Sequence, residues 1–368
     1  MGITMQDLTQ SQRPASKGAP KPGKPSLVSR LKSMGKRYVP KSLFPVAHAS
    51  WVAFAQFGNT LALGKNYFSD LRRYARWGHN GKTDRHILQR EAALLKQYHG
   101  LEKALSLQNP RPGFGQDKAR LLIQSLDRWL VQDPLNLIVG AAIGSLQAYR
   151  DFQQSHGINL PWLDAWLATA TQNGVLPSAE HGGAHKIFKA DVLQAVAGVH
   201  PDFFTSRHSI RHFGPGVVPM AAIEQAIGMA SKTPSVCNRQ GPRAYCFADA
   251  MDALQWQPGN GGFGHLASRA LIITSDLQAF SAPGERHQAY VDGGLFAMSV
   301  VYALHSMGFG CCMLAWSQPA TKEIALRKTL KIPQSEVVIM MIAVGQLPDE
   351  LMVANAYRRP VSEILRIR

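Results

Sequence analysis

Cysteine is scarce in this chain. Cys237, Cys246, Cys311 and Cys312 all fall in the C-terminal half and show no paired C-x-x-C spacing of a structural zinc site, which fits a reducing compartment. The vicinal Cys311 and Cys312 raise the idea of a redox dithiol, but buried cysteines commonly serve as small hydrophobes, and no part in the mechanism is expected of them. Acids are also few: 24 Asp plus Glu against 40 Lys plus Arg give a formal charge of +16. Such a field attracts phosphates, anionic lipid or nucleic acid. No nucleic-acid motif with interleaved aromatics accompanies it, so generic phosphate attraction is the better reading. Charged residues make up only 17% of the chain and hydrophobic ones 45%, a globular balance, and 368 residues suggest two domains.

Acids are nearly absent from residues 1–41, where Asp7 alone faces Arg13, Lys17, Lys21, Lys24, Arg30, Lys32, Lys36, Arg37 and Lys41 among scattered Pro, Gly and Ser. This reads as a disordered basic arm. It lacks the apolar core and cleavage site of a secretory signal, so export is not expected. From Ser42 to Gly64 the chain lacks Asp, Glu, Lys and Arg altogether. The run approaches a bilayer's thickness, but Pro45, His48, Gln56, Asn59 and Thr60 would each need a partner in lipid. A helix packed on the protein's own body is therefore preferred over an interfacial helix behind a basic arm, and that over a spanning one.

Helical periodicity follows between Thr83 and Gln172, with Ile87, Ala92, Leu94, Leu95, Leu101 and Leu105, then Leu121, Leu122, Leu126, Trp129 and Leu130. The loop Asn109-Pro110-Arg111-Pro112-Gly113-Phe114-Gly115 separates two helices. Further helices are expected over 136–154 and 161–173. Residues 174–200 read as a linker with a short helix at 191–199. His181, His185 and His200 lack a carboxylate that would complete a metal set.

After Phe203 the pattern turns to mixed helix and strand. Pro219 opens a helix carrying Ile223, Ala226, Ile227 and Ala230 on one face. Residues 270–274 and 336–344 read as buried strands, with a short helix at 321–330. Residues 290–307 are apolar nearly all round, the mark of a central helix, and Gly308 stands where a helix stop needs a left-handed residue. Strands and helices do not alternate regularly, so the class is α+β. The division expected is a basic arm (1–41), a mainly helical region (42–200) and a second domain (203–368).

Two segments carry candidate chemistry. Ser206-Arg207-His208-Ser209-Ile210-Arg211 places two arginine forks around a serine, a set suited to phosphate oxygens, although a solvated basic turn looks the same. Pro234-Ser235-Val236-Cys237-Asn238-Arg239-Gln240 offers side chains able to read the edge of a planar heterocycle, although Ser and Asn also make local backbone bonds. Spacing alone does not decide either.

In this order and about this far apart, the two segments resemble the entry motifs of the nitroreductase family. The helix ending at Gly308-Phe309-Gly310, the late strand ending at Val344-Gly345 and the terminal Arg358-Arg359-Pro360 extend that resemblance. The resemblance implies a mixed sheet flanked by helices that binds FMN. Arg207, Ser209 and Arg211, with His208 among them, would contact the flavin phosphate, ribityl chain or pyrimidine edge. Arg359, with Arg358, would close on the phosphate. Pro234, Ser235, Asn238 and Gln240 would approach from the partner subunit of a homodimer with FMN at the interface. Arg207 or Arg211 would supply the fixed cation near N1 and O2, and a backbone N–H in the stretch that starts at Cys312 and Met313 and runs to Ala315 would partner N5. Turnover would pass a hydride from NADH or NADPH to an acceptor by ping-pong kinetics, with no side chain needed as an acid.

The segment 257–264 departs from the family's pattern, and its glycines suit either a mobile lid or a plain loop. His99-Gly100-Leu101-Glu102-Lys103 and the Pro110–Gly115 loop resemble those of nitroreductase-like proteins associated with exopolysaccharide gene clusters. A second reading follows: a non-catalytic flavin-fold accessory protein of surface-polysaccharide biosynthesis. The expected location is cytoplasmic, with an anionic membrane surface as a partner for the basic N-terminus.

Overall fold

The computed structural model describes residues 44–78, 86–133, 136–172, 182–354, 356 and 358–368; for 44–53 and 55 it describes the backbone alone. The expected arm at 1–41 and His181 lie outside the described residues. The chain divides into two compact units, Met1–Lys65 and Asn66–Arg368.

The charge-free run forms helix α1, Phe44–Trp77, which continues well past Gly64. Among its described side chains, Phe54, Phe57 and Leu61 are 71%, 64% and 53% exposed. Apolar content fixes the helix's appetite for a partner without naming one. Among the described residues no helix is long and apolar enough to cross a membrane.

Within the second unit, the last turns of α1 are tied to the C-terminal part of the chain. Asn66 accepts from the Ala320 N–H at 3.3 Å, Arg73 donates to Glu323 at 2.6 Å, and the Tyr74 hydroxyl donates to the Ala282 carbonyl at 2.7 Å.

A helical layer follows: α2 Ile87–Leu105, α3 Gln116–Gln132, α4 Leu137–Ser155 and α5 Pro161–Gln172. Its core takes in Leu94, Leu101, Leu122 and Leu126 of the periodic set read from the sequence, together with Ile143, Leu146 and Leu163 of the next two helices, all buried. Each fully buried leucine contributes about 2 kcal/mol by leaving water. Ile87 and Leu121 share the period yet are exposed, because a 3.6-residue stripe is wider than the face a neighbour covers. In the 109–115 loop, Gly113 and Gly115 take positive φ, and the Gly113 N–H donates to Gln153 at 2.7 Å. Glu102 accepts from Ser145 at 3.2 Å and pairs with His99. The segments 99–103 and 110–115 are thus tied to α4.

Beyond α6, Lys189–Val196, and α7, Asp202–Thr205, comes the α+β part. In chain order it holds α8 Met220–Ala230, β1 Pro242–Phe247, α9 Ala250–Leu254, β2 Arg269–Asp276, α10 Gln288–Ser306, β3 Phe309–Ala315, α11 Ala320–Leu330, β4 Glu336–Gln346 and α12 Val361–Ile364. The strands form one sheet in the order β1-β2-β4-β3. Helices cover it as expected for the α+β class. Where a mixed sheet was expected, each of the three ladders is antiparallel among the described residues; any parallel pairing would need a further strand.

Strand alternation sorts the core. Leu271, Ile273, Cys311, Ile342 and Val344 face α8 and α10, whereas Ala270, Ile272, Cys312, Leu314 and Met341 face α9 and α11. Gly308, at φ +81°, ends α10 in the left-handed conformation its position demanded. The 257–264 segment is a pinned loop. Gln257 donates to the Ala315 carbonyl at 3.0 Å, Asn260 donates to the Leu254 carbonyl at 2.7 Å, and Phe263 is buried.

Candidate functional site

The first motif meets the free edge of β3 at Ile210. The Ile210 N–H donates to the Cys311 carbonyl at 2.9 Å, and beyond the motif the Gly214 N–H donates at 2.9 Å to the carbonyl of Gln346, the last residue of β4. Ile210 is buried against Gly310, where an added Cβ would come within 3.1 Å of it. With Ile210 held inward, Arg207 and Ser209 are half-buried and His208 and Arg211 exposed. A cavity of about 220 Å³ opens here, lined by Arg207, His208, Val301, His305, Cys311 and Val353. His305 Nε2 closes one side, 3.0 Å from Ser206 Oγ and 3.1 Å from the Phe203 carbonyl.

Backbone alternation selects among the expected N–H donors. In an antiparallel pair, successive residues turn their polar groups alternately toward and away from the neighbouring strand. Cys311 gives its carbonyl to Ile210, so Cys311, Met313 and Ala315 face the free edge, while Cys312 spends its N–H on Ala343 across the β4 ladder. Met313 and Ala315 remain as candidate donors; the Cys312 N–H does not.

The vicinal thiols belong to opposite faces of the sheet. Burial pushes the Cys311 thiol up to about 12, with Cys312 adding to the shift and the Arg207 cation opposing it. Burial also raises Cys312, against the pull of Arg211. Both stay protonated near neutrality, which a thiolate nucleophile does not.

The second motif precedes β1. Three of its residues take positive φ although none is glycine: Cys237 at 49°, Asn238 at 53° and Gln240 at 49°. Such conformations cost of order 1 kcal/mol each and persist only where the surroundings impose them. Here Ser235 Oγ accepts the Gln240 N–H at 2.9 Å, and buried Asp292 accepts the Val236 N–H at 3.2 Å. Arg239, its side chain fully buried, forks onto Glu285 at 3.0 and 2.7 Å. Burial alone would raise the Glu285 carboxyl, but hydrogen bonds from Arg239 and the Ser281 N–H, with the charges of Arg239 and Lys96, hold it below its ordinary value. Asn238 and Gln240 are thereby presented at the surface, beside a cavity of about 250 Å³ lined by Pro234, Ser235, Gln240, Arg243, Asp292 and Phe296.

One chain does not bring the two motifs together. They flank β3 and β1, opposite edges of a four-stranded sheet, which three strand spacings separate by about 14 Å. Both cavities reach α10, one at Asp292 and Phe296, the other at Val301 and His305, and they share no lining residue. Arg358 and Arg359 are exposed; Arg358 donates to the Ala356 carbonyl at 2.7 Å and Arg359 pairs with Glu363 at 2.9 Å. A cavity of about 950 Å³ lies elsewhere, lined by Phe68, Leu71, Tyr74, Arg286, His287 and Tyr290, and none of the residues expected to hold a cofactor lines it.

Sequence reasoning missed Arg239, Glu285 and Asp292 as the loop's supports. A signal existed for one of them: Asp292 is the only acid in the otherwise uncharged, largely apolar α10, and an acid there needs buried donors.

Residues 204–346 match the model of the nitroreductase family. The match covers both motifs and all four strands, and it is less than half of the chain. Among solved structures, a nitroreductase family protein from Streptococcus pneumoniae is 20% identical, with 45% of this chain and 98% of that one covered and a TM-score of 0.40. A nitroreductase from Desulfovibrio desulfuricans solved in complex with FMN is 19% identical over 46% and 97%, with a TM-score of 0.40. A nitroreductase-like protein from Streptococcus mutans is 21% identical over 45% and 96%, with a TM-score of 0.39. No curated protein matches the chain.

Proposed function

We propose that the nitroreductase-like part of the chain is an FMN-dependent oxidoreductase that works as a homodimer, taking a hydride from NADH or NADPH and passing it to a small-molecule acceptor. The observation that carries this reading is the pair of half-sites. At about 220 and 250 Å³, each cavity falls below the roughly 300 to 1,000 Å³ of a cofactor pocket, and each holds only one family-like motif. A two-fold arrangement would set the β3 edge of one copy against the strained loop of the other.

The residues present fit a flavin mononucleotide divided in this way. When bound, the flavin would supply hydride acceptance and release. Arg207 and Arg211 would hold negative charge at the phosphate or pyrimidine edge, with Ser209 and His208 donating beside them. The edge-facing N–H groups of Met313 and Ala315 would donate to a planar ring laid along β3. Ser235, Asn238 and Gln240, rigidly presented, would complete the other copy's site, and the exposed Arg358 and Arg359 would meet the phosphate. Neither buried cysteine carries a role in this chemistry.

The test is the absorption spectrum of the purified full chain before and after anaerobic addition of NADH or NADPH. A flavin spectrum that bleaches supports the reductase reading. A flavin that stays oxidised, or no flavin after reconstitution, favours instead the accessory role in surface-polysaccharide assembly.

A further inference from the structure

The part of α1 that belongs to the first unit combines two properties seldom found together. It carries no Asp, Glu, Lys or Arg from Phe44 to Gly64, and its described side chains are exposed rather than packed. At 100° per residue, Phe54, Phe57 and Leu61 fall within one narrow stripe of the helix. Each is more than half exposed. Gln56 and Asn59 fall on the opposite side with exposed Leu63 between them, and Thr60, at the flank, turns its hydroxyl back on the Gln56 carbonyl at 2.9 Å. This stretch is therefore uncharged all round, with an exposed aromatic stripe on one side and a mixed face of Gln56, Asn59 and Leu63 on the other, and no described helix is long and apolar enough to cross a bilayer.

Charge identifies the partner. Immediately before this helix the sequence places Arg13, Lys17, Lys21, Lys24, Arg30, Lys32, Lys36, Arg37 and Lys41 against Asp7 alone. A second copy of the chain would bring the same cations and meet repulsion there. A surface of anionic headgroups accepts both the cations and the aromatic stripe, since basic segments gain from the negative surface potential while Phe and Leu enter the acyl boundary.

We propose that residues 54–64 dock as an interfacial helix on a bilayer surface rich in anionic lipid, with Phe54, Phe57 and Leu61 facing the lipid and the basic residues of 13–41 on the headgroups. Two weak signals make one stable anchor, as single ones rarely do. The proposal does not depend on the flavin chemistry, and the membrane is a site of residence rather than a medium to be crossed.

The test is co-sedimentation of the full chain with vesicles of phosphatidylcholine alone, or with roughly a third phosphatidylglycerol. The expected result is at least about tenfold stronger binding to the anionic vesicles, largely lost in about 0.5 M salt. The triple variant Phe54→Ser, Phe57→Ser, Leu61→Ser should lose that binding while melting at the same temperature, because the side chains it removes are exposed. Lys32→Gln, Lys36→Gln, Arg37→Gln should weaken it through charge alone. Absence of binding to anionic vesicles overturns the proposal. So does a serine variant that still binds them fully, or one whose only change is a smaller mass in sedimentation velocity, which would assign the stripe to a second copy.

Discussion

Arg239 and Glu285 meet through two parallel hydrogen bonds of 3.0 and 2.7 Å, and this pair holds a loop in which three non-glycine residues have positive φ. The arginine's side chain is wholly buried. Glu285→Gln should therefore leave a buried cation facing a neutral amide and cost about 3 kcal/mol in urea unfolding. The loop should relax from its strained geometry, so the variant should also lose flavin on gel filtration. Retention of full stability would show the pair to be dispensable.

The same pair sets an acid limit. Glu285 titrates below its ordinary value of 4.5. A lowered carboxyl gives stability that is present above the unfolded value and lost as pH falls through the lowered one. Thermal melts from pH 6 to pH 3 should fall more steeply for the natural chain than for Glu285→Gln.

Glu336 predicts the opposite slope. It is buried in β4, where it accepts from the Thr274 hydroxyl and, at 2.8 Å, from the Tyr245 hydroxyl. Burial raises its carboxyl above 4.5, these hydrogen bonds opposing the shift. Between 4.5 and the raised value the folded chain keeps a proton that the unfolded chain has released, so stability declines as pH rises through that window. Glu336→Gln should flatten this decline, seen as a smaller loss of melting temperature on going from pH 4.5 to 7.

If the two half-sites come from different copies, damage to them should complement. Arg207→Ala and Ser235→Ala should each weaken flavin binding alone. Unfolding and refolding the two variants together at equal amounts should restore about a quarter of intact sites, because half the dimers are mixed and each mixed dimer carries one undamaged site. No recovery in flavin titration would place both motifs in one site of one chain.

Two glycines separate crowding from backbone strain. A Cβ at Gly345 would lie 2.6 Å from buried Phe213, so Gly345→Ala should cost about 1 to 3 kcal/mol by overpacking. A Cβ at Gly308 meets nothing within 4 Å, and Gly308→Ala should cost only about 1 kcal/mol through its φ of +81°. Denaturant midpoints of the two variants check the order.

What could be read from the sequence was what burial writes into it. β2 and β4 are covered on both faces and appear as apolar runs, and α10 announced itself by being apolar nearly all round. β1 and β3 were not anticipated. Both are edge strands; β1 is only half-buried, and the Gly-Phe-Gly start of β3 reads as the end of a helix. Arg207 to Arg211 and Ser235 to Gln240 were recognisable as motifs, yet their placement on opposite edges depends on strand order, which no local pattern encodes. Arg239 carried no local sign of its role, since its partner lies 46 residues away. The exposure of Phe54 and Phe57 was equally hidden, because hydropathy records what a side chain seeks and not what it finds.

Cys311 and Cys312 are consecutive, and the pleat of β3 delivers one thiol to the layer of α8 and α10 and the other to the layer of α9 and α11. The natural chain thus carries its own pair of chemical clocks. A thiol reagent that labels both, followed position by position, would time the separate loosening of the two sides of the sheet without any substitution.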